Sequence, residues 1–213
     1  MNSPKRQASV IVGRLRKRYP GARVSLKHKN PFQLLIATIL SAQCTDIIAN
    51  KAASGLFKKY KTAEGLSNAR LKTLEKEIFS TGFYRAKARN IIAASRKILK
   101  DYCGRVPASM EELTTLPGVG RKTANIVLSS AFSKPEGVAV DTHVKRLSGR
   151  LGLSREKTPE KIEKDLMIIL PKSSWLDFNF ILVNHGRDTC KAQKPLCCEC
   201  ALNNICPSNR CRA

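Results

Sequence analysis

The sequence predicts an all-α protein, and three observations carry that expectation. Apolar residues recur at helical spacing along most of the chain, and capping residues stand where those stripes begin. Only Val138-Ala139-Val140 reads as locally extended, and three residues make no sheet.

The opening MNSPKRQASVIVGRLRKRYP has no continuous apolar core before a small-residue cleavage site, so it does not read as a secretory signal. An Arg-bearing organelle presequence is one reading of it. The preferred one is a helical arm that docks Val10, Ile11, Val12 and Leu15 and turns its basic residues outward. Asn30-Pro31 then opens a helix with Phe32, Leu35, Ile36, Ile39 and Leu40 on one face. A helix over Asp46 to Tyr60 follows, and another carries Leu71, Leu74 and Ile78 until Thr81-Gly82 stops it. Ala88, Ile91, Ile92, Ser95, Ile98 and Leu99 form the next stripe.

Ser109 and Glu112 make a capping box for a short helix ending at Leu116-Pro117-Gly118, and helix resumes from about Arg121 to Phe132. Thr158-Pro159 opens a helix with Ile162, Leu166, Ile169 and Leu170, and the last long helix runs from about Trp175 towards Arg187. The expected organisation is a central bundle over residues 25–134, with a helical hairpin at about 110–132. Residues 1–24 join 135–213 in a second lobe, leaving a groove between the two.

A chain of 213 residues, 42% apolar, is long enough to bury a core. No run of 18 apolar residues is present, which argues against a membrane-spanning helix. Thirty-nine Lys and Arg against sixteen Asp and Glu give a net charge of +23, spread along the whole chain. Such a field concentrates a polyanion, which favours nucleic acid over an acidic membrane surface.

Leu116-Pro117-Gly118-Val119-Gly120-Arg121-Lys122 places glycines on either side of one valine, between two short helices. Gly118 and Gly120 permit a tight turn with bare N–H groups, while Val119 plugs the core. Exposed N–H groups at a helix start, with Arg121 and Lys122 beside them, favour a DNA phosphate. This describes a helix-hairpin-helix that grips backbone without reading sequence.

Lys122 has two readings, phosphate contact or nucleophile. Deprotonating a free lysine at pH 7 costs about 4.6 kcal/mol. A helix N-terminus, neighbouring cations and partial burial all reduce that cost, so the location suits an activated amine without demanding one. Nineteen residues on, in Val140-Asp141-Thr142-His143, Asp141 either caps the next helix or faces the groove, and the two roles are compatible.

Of eight cysteines, six crowd into the 22 residues from Cys190 to Cys211. That clustering, without a secretory signal, favours a metal site over a disulfide framework. Four thiolates at Cys190, Cys197, Cys200 and Cys206 can hold zinc or an iron–sulfur cubane, and spacing alone does not decide. Cys198 competes with Cys197 as a ligand, Cys211 reads as a free thiol, and Cys44 as small packing.

LSAQCTD (Leu40 to Asp46), TGFYRAKARNI (Thr81 to Ile91), LPGVGRKTAN (Leu116 to Asn125), VDTHVKRL (Val140 to Leu147) and the cysteine array occur in one order. With these features the chain resembles the endonuclease III family of DNA glycosylases, from about residue 10 to 206. The resemblance implies two helical lobes flanking a DNA-binding cleft. Lys122 is the implied catalytic lysine and Asp141 the catalytic aspartate. Gln43 is implied to fill the gap left by the extruded nucleotide, and Phe83 to wedge from the opposite side, where the best-known members carry leucine.

Gly118, Val119, Gly120, Arg121, His143 and Lys145 are the other expected DNA contacts, with Arg146, Arg85 and Lys87 also on the backbone. Thr142 is an expected cap. The spacing C-x6-C-x2-C-x5-C resembles that family's cluster, implying one 4Fe-4S cluster on Cys190, Cys197, Cys200 and Cys206, in a loop that presents Lys191 and Lys194 to phosphate.

Adenine-mispair relatives carry a glutamate on the early helix, but residues 31–45 contain no acid here, and Lys122 is present. The implied activity is removal of oxidised pyrimidines such as thymine glycol from duplex DNA. Strand cleavage 3′ to the abasic site by β-elimination follows, within base excision repair. The expected partner is double-stranded damaged DNA, with no membrane and no obligate protein partner. The protein is expected as a monomer, cytoplasmic and nucleoid-associated if prokaryotic. Competing readings are a helix-hairpin-helix binding module without catalysis and a zinc-stabilised nucleic-acid scaffold.

Overall fold

The computed structural model describes residues 3–211. In chain order these form α1 (Pro4–Arg18), α2 (Pro31–Ser41), α3 (Asp46–Lys59), α4 (Ala63–Ser67), α5 (Leu71–Glu77), α6 (Tyr84–Tyr102) and α7 (Met110–Thr114). They continue as α8 (Arg121–Phe132), α9 (Thr142–Arg150), α10 (Pro159–Ile169) and α11 (Phe178–Asp188), with short 3-10 turns at Phe79–Thr81 and Lys172–Ser174. Among the described residues there is no strand, so the all-α expectation holds and 138–140 stays irregular. No helix among them is long and apolar enough to cross a membrane.

The chain divides into two compact units, Ser25–Lys134 and Met1–Val24 with Pro135–Ala213. In the first, α2 is the central helix. Leu34, Ala37 and Thr38 are buried along with the expected Phe32, Leu35, Ile36, Ile39 and Leu40, so α2 is apolar on nearly every side. It packs against α3, α6 and α8, which explains why one face alone could not describe it. Each fully buried Leu or Ile contributes about 1.5–3 kcal/mol relative to exposure. Asn30 caps α2 by accepting from the Gln33 N–H at 2.9 Å.

In the second unit α1 packs against α10 and α11. Ala8, Ile11, Val12 and Leu15 enter a core with Val144, Leu147, Leu166 and Phe178. Val10, expected to dock, is exposed because it falls off that stripe. Arg16 donates two 2.8 Å bonds to Asp177, holding α1 to the start of α11. Thr158 stands at the N-cap of α10 without a side-chain cap bond, so Pro159 at the first turn marks that start. The last helix starts later than expected, at Phe178, because residues 172–174 take the tighter 3-10 turn.

Candidate active site and cysteine-lined cavity

The hairpin between α7 and α8 is built by backbone. Ser109 caps α7 by accepting from the Glu112 N–H at 3.3 Å, while its hydroxyl donates to the Glu112 carboxylate at 2.7 Å. The Val119 N–H closes the turn onto Leu116 O at 3.0 Å, and Val119 is buried as expected. Gly118 has φ +78°, and a Cβ there would lie 2.9 Å from both Cβ and Nδ2 of Asn90 on α6. Gly120, the N-cap of α8, has ordinary extended backbone and open space around a would-be Cβ. No side chain caps α8, so its first turn presents backbone N–H groups to whatever approaches.

The two glycines therefore predict different outcomes. Gly118→Ala is expected to lower stability by about 2–3 kcal/mol, from left-handed backbone strain and the Asn90 clash. Gly120→Ala is expected to change it by less than about 1 kcal/mol. Thermal melting checks both, and equal losses at the two positions would refute the assignment.

Lys122 lies in the first turn of α8 and is exposed, in contrast to the partial burial expected from sequence. Arg121 beside it is exposed as well.

Gln43 and Phe83 sit on two turns of the same unit. Both are exposed and both are non-glycine residues in the left-handed region, at φ +52° and +47°. Such backbone costs about 1–3 kcal/mol each and persists only where the surroundings enforce it. Phe83 is 65% exposed at the N-cap of α6, an expensive place for a phenyl ring in water.

Lys87 overturns its sequence reading. It is not a surface phosphate contact but a buried side chain, 5% exposed. Its Nζ donates to the Leu40 carbonyl at 2.7 Å and the Thr81 carbonyl at 2.8 Å. Burial lowers its pKa, and proximity to Cys44 opposes that in part. The signal was present: Lys87, Ile91, Ala94 and Ile98 are spaced as one helix face, and all four are buried.

In the other unit Asp141 takes the capping role, not Thr142, which is the first helical residue of α9. Asp141 Oδ1 accepts from the Val144 N–H at 2.8 Å, and Oδ2 lies 3.8 Å from Nδ1 of His143. Burial pushes the His143 pKa down, with Asp141 opposing and Arg146 and Arg187 reinforcing, so the ring is predominantly neutral at pH 7. Lys145 is exposed.

Arg146 is tied inward, donating to the Gly186 and Cys190 carbonyls at 3.3 and 3.2 Å, which corrects its reading as a backbone contact to DNA. Gly186, unnoticed in the sequence, permits this packing. A Cβ there would lie 2.7 Å from His143 Cδ2 and 2.9 Å from Arg146 Nη2.

Cys190, Cys197, Cys200 and Cys206 line one cavity of about 120 Å³. Arg150 closes it, donating to Cys190 Sγ at 3.4 Å and to the Lys191 and Ala192 carbonyls at 2.7 and 2.9 Å. The Leu202 N–H donates to Cys200 Sγ at 3.4 Å. Burial raises the Cys200 and Cys206 thiols, which favours protonated sulfur until a cation displaces the protons. Four thiols lining one cavity are the donor set that a zinc ion or an iron–sulfur cluster uses. Cys198 points elsewhere and forms a disulfide with Cys211, with Cα atoms 5.3 Å apart. It is therefore not a rival to Cys197, and Cys211 is not free.

Residues 36–172 match the HhH-GPD superfamily of base excision DNA repair proteins. The chain is 52% identical to endonuclease III of Synechocystis sp., covering 98% of this chain and 95% of that protein. It is 46% identical to endonuclease III of Bacillus subtilis, covering 94% and 92% respectively. A trapped endonuclease III–DNA covalent intermediate matches its fold with a TM-score of 0.92 at 45% identity, covering 100% of this chain and 99% of that one.

Proposed function

Because this chain belongs to the endonuclease III family, within the HhH-GPD superfamily of base excision DNA repair proteins, we propose that it excises oxidised pyrimidines such as thymine glycol from duplex DNA. In the same proposal it then cuts the strand 3′ to the abasic site by β-elimination. It is a DNA glycosylase, and the finer assignments rest on its own residues. The observation that carries them is an exposed lysine in the uncapped first turn of the hairpin's second helix.

Phosphates bind at the Gly118–Arg121 turn, where N–H groups and Arg121 meet them. The damaged nucleotide leaves the stack, and Gln43 and Phe83 occupy the vacated space from two turns, offsetting part of the lost stacking. Both side chains are already exposed and held in strained backbone, so little reorganisation is needed on binding. Lys122 is exposed in the free protein, so its amine is open to the sugar of a bound duplex.

Neutral Lys122 Nζ attacks C1′, and the C1′–N bond to the base breaks with its electron pair leaving on the base. Asp141, whose Oδ1 caps its own helix, is assigned the negative charge that stabilises the cationic sugar. The neutral His143 ring does not cancel that charge. Opening of the C1′–O4′ bond passes one Nζ proton to O4′ and gives a protonated Schiff base on Lys122. Loss of a C2′ proton to solvent then expels the 3′ phosphate, and hydrolysis by water releases the amine.

Cys190, Cys197, Cys200 and Cys206 would hold a 4Fe-4S cluster, which supplies a cross-link pinning the 190–206 loop when bound. Lys191 and Lys194 on that loop are exposed and reach backbone phosphate, as Lys145 does on α9.

Two measurements test this reading. With a thymine glycol duplex the expected result is free base together with a 3′ β-elimination product. An intact strand after base release, or binding without release, would refute the lysine mechanism. On undamaged duplex, log K should fall with log salt at a slope of −4 or steeper, roughly 0.9 for each phosphate contact. A slope near zero would exclude electrostatic backbone binding.

A further inference from the structure

Gln43 and Phe83 belong to separate turns, one after α2 and one before α6. To fill one gap from two directions they must keep a fixed spacing while the duplex pushes on both. Lys87 lies where that spacing is set. Its ammonium bonds the Leu40 carbonyl, three residues before Gln43, and the Thr81 carbonyl, two residues before Phe83. The Leu40 carbonyl is one of the orphan acceptors at the end of α2, and the 3-10 turn leaves Thr81 at its own end.

Simple packing does not call for this residue. An aliphatic side chain would continue the stripe of Ile91, Ala94 and Ile98, whereas a buried ammonium carries a desolvation penalty. A flexible stem ending in several donors can bond two carbonyls on different segments at once. The Cys44 side chain, next in sequence to Gln43, is also close enough to interact electrostatically with Lys87.

We propose that Lys87 is a positioning residue, a strap between the Leu40 and Thr81 carbonyls that sets the Gln43 and Phe83 turns at the spacing needed to extrude a nucleotide. The proposal rests on the gap-filling roles given to Gln43 and Phe83 above. It assigns Lys87 no contact with DNA and no part in bond breaking.

The test uses two substrates and a mutant cycle. One substrate is a thymine glycol duplex, whose base must be extruded. The other is a preformed abasic site in single-stranded DNA, where no extrusion is needed. Lys87→Met, which keeps an unbranched chain one atom shorter and removes both bonds, should slow single-turnover base release from duplex by about 10- to 100-fold. Cleavage of the single-stranded site should change less than about 3-fold. A 2-aminopurine beside the lesion, fluorescent when unstacked, should lose its binding-induced rise in the same variant. Lys87→Arg, which retains a cation with several donors, should restore part of the rate.

Combined with Gln43→Ala and Phe83→Ala, Lys87→Met should add little, since the residues it positions are gone. Should Lys87→Met fail to fold, Lys87→Gln, which keeps a donor, is read against the same outcomes. Equal slowing on both substrates, or full additivity with the double variant, would overturn the strap. If the Gln43→Ala, Phe83→Ala double variant alone keeps the parent rate, the gap-filling reading fails, and the strap fails with it. A slow double variant with an additive Lys87→Met effect would overturn the strap alone.

Discussion

Lys122→Gln is expected to reduce base release from a thymine glycol duplex by at least about a thousandfold while leaving affinity for undamaged duplex within a few-fold. The argument has two parts. In the proposed mechanism the amine is the bond-forming group, so its removal eliminates the covalent route and does not merely weaken it. The same side chain is one cation among thirty-nine Lys and Arg residues, so its share of the electrostatic attraction is small. Because Lys122 is exposed on the first turn of α8, the substitution leaves the core untouched and the melting temperature should hold. Asp141→Asn should behave differently. It retains a side-chain oxygen to cap α9 but loses the charge, so slow base release survives.

The second large effect concerns the cysteine cavity. With the proposed cluster the protein is expected to be brown and to carry iron, and Cys200→Ala is expected to abolish both and to unfold the 190–206 loop at moderate temperature. Cys200 is half-buried within the cavity, and its sulfur receives the Leu202 N–H. Binding of a metal group by a loop of this kind is coupled to its folding, with energies on the order of 10 kcal/mol. Cys198→Ser is the contrasting variant. It breaks the disulfide with Cys211 but removes no cavity ligand, so iron content should remain near the parent value. Iron and sulfide analysis with visible spectra checks both. Stoichiometric zinc without sulfide in the parent protein would refute the cluster.

The helical class was legible because caps and 3.6-residue stripes are local signals. Asn30, Ser109 and the Gly118–Gly120 hairpin are each coded within a few residues, and each stands where the sequence put it. What escaped was decided by tertiary surroundings. A lysine on an apolar stripe reads as surface charge until two helix-end carbonyls claim it, as Leu40 and Thr81 claim Lys87. Arg146 was misread for the same reason, its carbonyl partners lying some forty residues away at Gly186 and Cys190. The Cys198–Cys211 pairing was out of reach because cysteine spacing does not fix connectivity.

Gly186 carried no local signal either, since its need is set by His143 and Arg146 from another helix. The roles proposed for Gln43 and Phe83 rest on family resemblance alone. Their strained backbone is the physical trace that a sequence does not display.

The central claim is that Lys122 forms the covalent bond to the sugar, and reductive trapping tests it most directly. Borohydride added during reaction with a thymine glycol duplex should reduce the Schiff base and leave protein joined to DNA. Proteolysis and mass spectrometry of that adduct should place it on Lys122, in the peptide that follows Gly118-Val119-Gly120. An adduct on any other lysine, or a Lys122→Gln protein that traps at the parent rate, would contradict the mechanism.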